Sequence, residues 1–228
     1  WTFEAGLVSC PTRVEAGHDI QLRLPFQAGL PFQVSQSYCE EGGSHRGFEV
    51  DFAMDDGTPV VAVADGKVFD IDDDYTGGRH TSPCNCPDDN GIFVFLEHQG
   101  TESKWYSAYL HLNRRVVTNG VVTAGQVIGY SGNTGYTLGN ADGYHLHFQI
   151  RKGSPNGPGA LPTPMYGFET GHPAVTTITS FEHDMFYQAL DLPSPAGTTL
   201  MCVANDTGLP VAGAQVTVDG QTVGQSDW

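Results

Sequence analysis

Tyr144-His145-Leu146-His147-Phe148-Gln149-Ile150 alternates residue by residue between polar and apolar positions. Successive side chains on a strand point to opposite faces, so His145 and His147 share one side while Leu146, Phe148 and Ile150 share the other. This is the pattern of a half-buried strand with one face on a core and two imidazoles in a common space. Imidazole is the commonest protein ligand for transition metals and the usual general base near neutral pH. The strand by itself leaves open whether the pair binds a metal, moves protons or does neither. The rest of the chain has to decide.

The composition supports a β protein. In 228 residues there are 29 glycines and 14 prolines, with many Val, Tyr, Phe and Thr, the mixture of a turn-rich β chain. No stretch keeps a helical apolar period, so helices are expected to be few and short. At 39% hydrophobic residues the chain can bury one sizeable core, with room for a small extra module. Ten basic residues against 26 acidic ones give a net charge of -16, which excludes the basic footprint of a nucleic-acid binder and argues against docking on an anionic membrane. No apolar run approaches the roughly 20 residues of a membrane span. Trp1-Thr2-Phe3-Glu4 lacks the basic start and apolar stretch of a signal peptide, so the expectation is a chain whose signal has already been removed. Cys10, Cys39, Cys84, Cys86 and Cys202 argue for an oxidising compartment and disulfides, of unknown pairing and with one thiol left over.

Taken in order, residues 1–43 read as an N-terminal β segment, with strands at Ile20–Leu24 and Val34–Tyr38, packing on the domain that follows. Residues 44–188 form the main domain. Val60–Ala64 is a nearly all-apolar strand, and Asp65-Gly66 is a two-residue hairpin signal leading into Lys67–Ile71. Asp72–Asn90 is a polar loop whose aspartates lack the glycine and glutamate of a calcium-binding loop, and it reads as solvated. Ile92–His98, Lys104–His111 and Gly125–Tyr130 are further strands. Ser131–Gly139 is a glycine-rich loop that could wall a groove. Residues 189–197 read as a linker, and 198–228 as the start of a truncated β-sandwich-like module. The expected fold is mostly β: a compact antiparallel sheet with long loops around a groove.

His45, His111 and the His145/His147 pair all lie at predicted strand ends, and Glu49 and Asp51 follow His45 at the same parity. Hydrolytic zinc sites use three protein ligands, commonly His and carboxylate, with a position open to water. Two histidines and a carboxylate, with further histidines for proton transfer, fit that recipe. His18, His80, His98, His172 and His183 lack such context and read as surface or structural residues.

The stretches HRGFEVDFAMDDGTPVVAVADGKV (His45–Val68), YLHL (Tyr109–Leu112) and GQVIGYSGNTGYTLGNADGYHLHFQI (Gly125–Ile150) stand in an order that resembles the lysostaphin/LytM-type zinc metallopeptidases. The resemblance spans roughly Ser44 to Arg151. It implies a secreted or periplasmic, monomeric metalloendopeptidase with one Zn2+ per chain, hydrolysing cross-bridge or stem peptides of bacterial peptidoglycan through an activated water. It also implies His45, Asp51 and His147 as zinc ligands, His111 and His145 as catalytic histidines, and Tyr38 as a possible transition-state stabiliser. In the family the acidic ligand stands four residues after the histidine, which here is Glu49. The flanking residues align instead on Asp51, so Asp51 is the expected ligand and Glu49 the alternative. A catalytically silent relative that binds cell wall or activates an amidase is the second reading, and every motif position being filled argues against it. A cupin-type metal barrel would need a glutamate shortly after His147, where Gln149, Ile150, Arg151 and Lys152 stand. A structural adhesion protein would account for the β tail but not for the histidines.

Overall fold

A computed structural model describes residues 19–38, 45, 47–72, 75–84, 87–138, 142–156, 159–160, 165–169, 177–178, 181–189, 215–218 and 221–225. In chain order the strands are β1 (Leu22–Arg23), β2 (Pro31–Gln36), β3 (Val50–Ala53), β4 (Pro59–Val61), β5 (Gly66–Ile71), β6 (Arg79–His80), β7 (Ile92–Gln99), β8 (Lys104–Arg115) and β9 (Val121–Val122). They continue with β10 (Val127–Ser131), β11 (Gly135–Tyr136), β12 (His145–Lys152), β13 (Gly159–Ala160), β14 (Met165–Glu169), β15 (Thr177–Ile178), β16 (Phe186–Ala189), β17 (Gln215–Val218) and β18 (Gln221–Gln225). One 3-10 turn, Pro87–Asn90, is the only helical element among the described residues. The chain is mostly β, as its composition predicts.

One large sheet runs β1-β14-β16-β2-β3-β12-β8-β7-β5-β9, with β10 joined to both β4 and β8. Its core lies where the apolar parity of β12 falls: Leu146, Phe148 and Ile150 are at most 1% exposed. Phe148 meets the rings of Phe52 and Tyr109, and Phe52 meets Phe26 and Phe181 edge-on. Each such side chain contributes about 1.5–3 kcal/mol by leaving water. Leu22, Leu24, Phe26 and Val34 belong to this same cluster, so the described part of the first 43 residues shares one core with the residues after it.

The two-residue hairpin expected at Asp65-Gly66 does not form. β4 pairs with β10, whereas β5 pairs with β7 and β9, so the chain turns a corner between two neighbourhoods of the sheet. Asp65 holds that corner. Its carboxylate accepts from the Ala124 N–H at 2.7 Å, and its carbonyl accepts from Nδ1 of His98 at 2.9 Å. His98 is structural and fully buried, and burial holds its pKa below the ordinary imidazole value. Hydrogen bonds run on from His98 through the Ser107 hydroxyl (2.7 Å) to the Tyr109 hydroxyl (3.0 Å), which accepts from the Val63 N–H (3.0 Å).

β8 outlasts the strand expected to stop at His111. Between Val94 and Ile92 of β7, β8 passes from Tyr109 to Leu112 with one residue too many, a β-bulge. Up to Leu110 the strand pairs with β12, and from Leu112 it pairs with β10. The run from His45 also departs from expectation: β3 begins only at Val50, so strand alternation does not orient His45. Of the tail, only the antiparallel pair β17 and β18 is described; the linker beyond Ala189 lies outside the described residues. Cys10, Cys39, Cys86 and Cys202 lie outside them too, and the Cys84 N–H donates to the Asp89 carboxylate at 2.9 Å.

At the turn between β7 and β8, Asp19 clamps the amino-terminal segment to the sheet. Its carboxylate accepts from the Glu102 N–H (2.6 Å), the buried Trp105 indole N–H (2.8 Å) and the Thr101 hydroxyl (3.0 Å). The Glu102 N–H is the largest influence, and with Trp105 and Thr101 it outweighs burial to lower the Asp19 pKa from 3.8 to about 2. A depressed folded-state pKa contributes stability that is present above the unfolded value and lost as pH falls from about 4 toward 2. Asp19→Ala strands the Trp105 N–H in the interior and is expected to cost about 1–3 kcal/mol in urea unfolding at pH 7. Its stability should also depend less steeply on pH below 4 than the parent's.

Candidate functional site

β12 lies antiparallel to β3 with His147 directly opposite Asp51 and His145 opposite Ala53. The pairing sets the Asp51 carboxylate against an imidazole: Oδ1 is 2.9 Å from His147 Nδ1 and 3.2 Å from His45 Nε2, and Oδ2 is 3.8 Å from His145 Nε2. Burial opposes the charge on Asp51. The charge of His145 and the hydrogen bonds from His147 and His45 outweigh it, holding the carboxyl well below the ordinary range. His45 shows the reverse side of this contact: burial works against protonation, but Asp51 overrides it and raises the pKa.

Three of the histidines are anchored by backbone. Nδ1 of His45 lies 2.9 Å from the Ser37 carbonyl, Nδ1 of His111 2.9 Å from that of Thr134, and Nδ1 of His145 2.8 Å from that of Gly143. A carbonyl can only accept, so each Nδ1 carries a proton and each Nε2 is left to face the site. His147 is the exception, presenting Nδ1 to Asp51.

His111 sits at the bulge of β8 with φ at +63°, a left-handed backbone that non-glycine residues seldom adopt. Such strain persists only where the surroundings enforce it. Thr134 supplies much of that enforcement. Its hydroxyl donates to the Leu112 carbonyl (2.7 Å) and accepts from the Ile92 N–H (2.9 Å), while its carbonyl takes the His111 proton. The His111 ring lies 4.9 Å from that of His145 and 5.7 Å from that of His147. Burial, then the positive charges of His145 and His147, push the His111 pKa well below its ordinary value.

His45, Asp51, His111, His145 and His147 thus line one groove of about 470 Å³. Glu49 lines it as well, but its carboxylate is engaged by the Gly47 N–H (2.6 Å) and the Gln149 side-chain amide (3.2 Å). Tyr38 is not among the lining residues; its ring packs edge-on against Phe48 at 5.4 Å. Tyr136, Leu138 and Tyr144 line it too, with Asp89 and Asn90 from the aspartate-rich loop. That loop therefore is not merely solvated. It lies directly on Gly135, where a Cβ would come within 2.4 Å of the Gly91 nitrogen, so only glycine permits the approach. Tyr136 and Leu138 belong to the glycine-rich Ser131–Gly139 loop expected to wall a groove, whereas alternation and motif spacing carry no signal for Asp89, Asn90 or the carbonyl anchors. His80 and His183 form local pairs with Asp89 (3.8 Å) and Asp184 (3.5 Å), and His18 and His172 lie outside the described residues.

One atom each from His45, Asp51 and His147 lies within 4.8 Å of the others, a group that could hold a metal ion. Protons now bridge two imidazole nitrogens and one carboxylate oxygen. Those are donors that a divalent cation of borderline softness takes in place of protons.

Residues 43–158 match peptidase family M23. The chain is 38% identical over 110 residues to the glycyl-glycine endopeptidase ALE-1 of Staphylococcus capitis, a match covering 47% of this chain and 25% of that protein. It is equally identical over 110 residues to lysostaphin of Staphylococcus simulans, covering 47% and 18%. To the peptidoglycan DD-endopeptidase ShyA of Vibrio cholerae it is 36% identical over 107 residues, covering 46% and 20%. A solved structure of the lysostaphin catalytic domain from Staphylococcus simulans aligns with 57% of this chain and 82% of that one, at 30% identity and a TM-score of 0.36. The chain spans a quarter or less of the length of these curated relatives.

In the metal-free protein the His111 ring is expected to stay neutral, with its proton on Nδ1, as pH falls through 6.5. Nitrogen–proton correlation spectra of the imidazoles check this directly. Titration of His111 near 6.5, or a proton on Nε2, would contradict the geometry.

Proposed function

The chain belongs to peptidase family M23, and from that premise we propose that it is a zinc metalloendopeptidase acting on the peptides of bacterial peptidoglycan. The observation that carries the proposal is the convergence of His45, Asp51 and His147 in a groove that also holds His111 and His145. In this reading those first three residues are the ligands of one Zn2+. Bound zinc lowers the pKa of water to about 7 and polarises a carbonyl oxygen.

The remaining chemistry belongs to the chain. His111 and His145 present Nε2 to the groove, so one can take the proton of the attacking water and the other can hand a proton to the leaving amine. Their Nδ1–H bonds to fixed carbonyls keep both rings aimed without reorganisation. The low pKa of His111 keeps its lone pair available near neutral pH. Tyr38 enters as the oxyanion donor on the family resemblance; its ring packs on Phe48 and is not among the groove-lining residues. The groove, walled by Tyr136, Leu138 and Tyr144, would seat an extended peptide across the histidines.

Relatives named as a glycyl-glycine endopeptidase and a peptidoglycan DD-endopeptidase support peptidoglycan as the substrate. In this reading the chain works outside the cytoplasmic membrane, as a secreted or periplasmic monomer with disulfides. Among the described residues no helix is long and apolar enough to cross a membrane.

His147→Ala should lose zinc and activity together, measured as metal content and as clearing of purified cell walls. His145→Ala should retain zinc while kcat falls by about 10²-fold or more, the usual share of a positioned acid or base. Equal metal loss in both variants would make the two histidines joint ligands and overturn the division of roles. Tyr38→Phe keeps the ring on Phe48 and should lower kcat with little change in KM. Metal bound by the parent protein without release of wall peptides would favour the wall-binding reading instead.

A further inference from the structure

Gln149 follows His145 and His147 on the same face of β12, and Arg151 follows Gln149. The row is wired together. Arg151 donates through Nε (3.0 Å) and Nη2 (2.8 Å) to the side-chain Oε1 of Gln149, and through Nη1 (2.9 Å) to the backbone carbonyl of Pro155. The amide nitrogen of Gln149 donates to Glu49 Oε1 at 3.2 Å, and Glu49 Oε2 accepts from the Gly47 N–H at 2.6 Å. Gln149 is only 6% exposed, so its amide has protein partners in place of water at both ends.

This chain of contacts ends in the segment between His45 and Asp51. Among its described residues none before Val50 belongs to a strand. Glu49 lines the groove, four residues after His45, where a carboxylate could compete with Asp51 for a cation. We propose that Arg151, Gln149 and Glu49 act as a positioning device for the metal centre. They pin the loop carrying His45 and hold the Glu49 carboxylate away from the ligand position, leaving it to Asp51. The inference rests on the reading of His45, Asp51 and His147 as metal ligands.

Guanidinium, amide and carboxylate must stand in this order for the device to work. The guanidinium can only donate, which turns the Gln149 oxygen toward Arg151 and its NH2 toward Glu49. Glu49 then spends its two oxygens on the amide and on the Gly47 N–H. Partners that orient ligands in this way are typically worth 10–100-fold in metal affinity.

The test is titration of metal-free protein with Co2+, read by its visible d–d absorption, and with Zn2+ against a competing chelator. Glu49→Ala should keep the band positions of the parent, because the ligand atoms are unchanged, while its dissociation constant rises about 10–100-fold. Glu49→Gln, whose amide oxygen can still accept from Gly47, should fall between the two. Gln149→Met cuts the link to Arg151 and should weaken binding in the same direction, which keeps the test open if Glu49→Ala folds poorly. The thermal midpoint of the metal-free Glu49→Gln protein should stay close to the parent's. Unchanged affinity in Glu49→Ala and Gln149→Met would overturn the inference. Shifted or lost cobalt bands in Glu49→Ala would overturn it too, by making Glu49 a ligand. A parent protein that binds neither metal defeats the metal-centre reading itself, a failure visible before any variant is compared.

Discussion

A carboxylate whose side chain is 13% exposed among imidazoles is the constraint on which the site depends. Asp51 cannot keep its charge there without close positive or hydrogen-bonding partners, because burial alone would favour the neutral acid. The fold supplies those partners by register. β3 and β12 set Asp51 opposite His147, and the Ser37 carbonyl turns His45 so that its Nε2 meets the same carboxylate. The cluster is held by protons that a cation can replace, which ties its geometry to its chemistry.

Around that pair the backbone aims the rings. The carbonyls of Ser37, Thr134 and Gly143 each take one imidazole proton, leaving the opposite nitrogen toward the groove. The bulge in β8 has two consequences. It lets the strand leave β12 for β10, and it forces His111 into a left-handed conformation that throws its ring between His145 and His147. Thr134 joins the two by hydrogen-bonding both the strand after the bulge and the ring itself. The Arg151–Gln149–Glu49 chain does the corresponding job for the segment before Val50, whose described residues lie outside the strands.

Much of the site was legible before any fold was known. The alternation in residues 144–150 separated the buried Leu146, Phe148 and Ile150 from the two histidines, because pleat parity is a local property of a strand. The resemblance of the three blocks pointed to the family, and the family match spans residues 43–158. Parity could not separate Glu49 from Asp51, since both share it, and it misplaced His45, which precedes the strand. The Asp65-Gly66 signal marked a real change of direction but not a hairpin, because β4 and β5 find different partners. Asp89 and Asn90 were invisible as groove residues: their approach depends on Gly91 and Gly135 meeting backbone to backbone.

The sequence by itself determined a mostly β chain, the strand that presents two imidazoles, and the set of residues available to a metal centre. The first two follow from composition and from the period of one strand; the last follows from the family resemblance of separated blocks. Which carboxylate meets the imidazoles, and which nitrogen each ring offers, was decided only in the tertiary structure. His147 and Asp51 are 96 residues apart, and strand register settles their meeting. The carbonyls that orient the rings belong to every residue type alike, so only the folded path of the chain could select Ser37, Thr134 and Gly143.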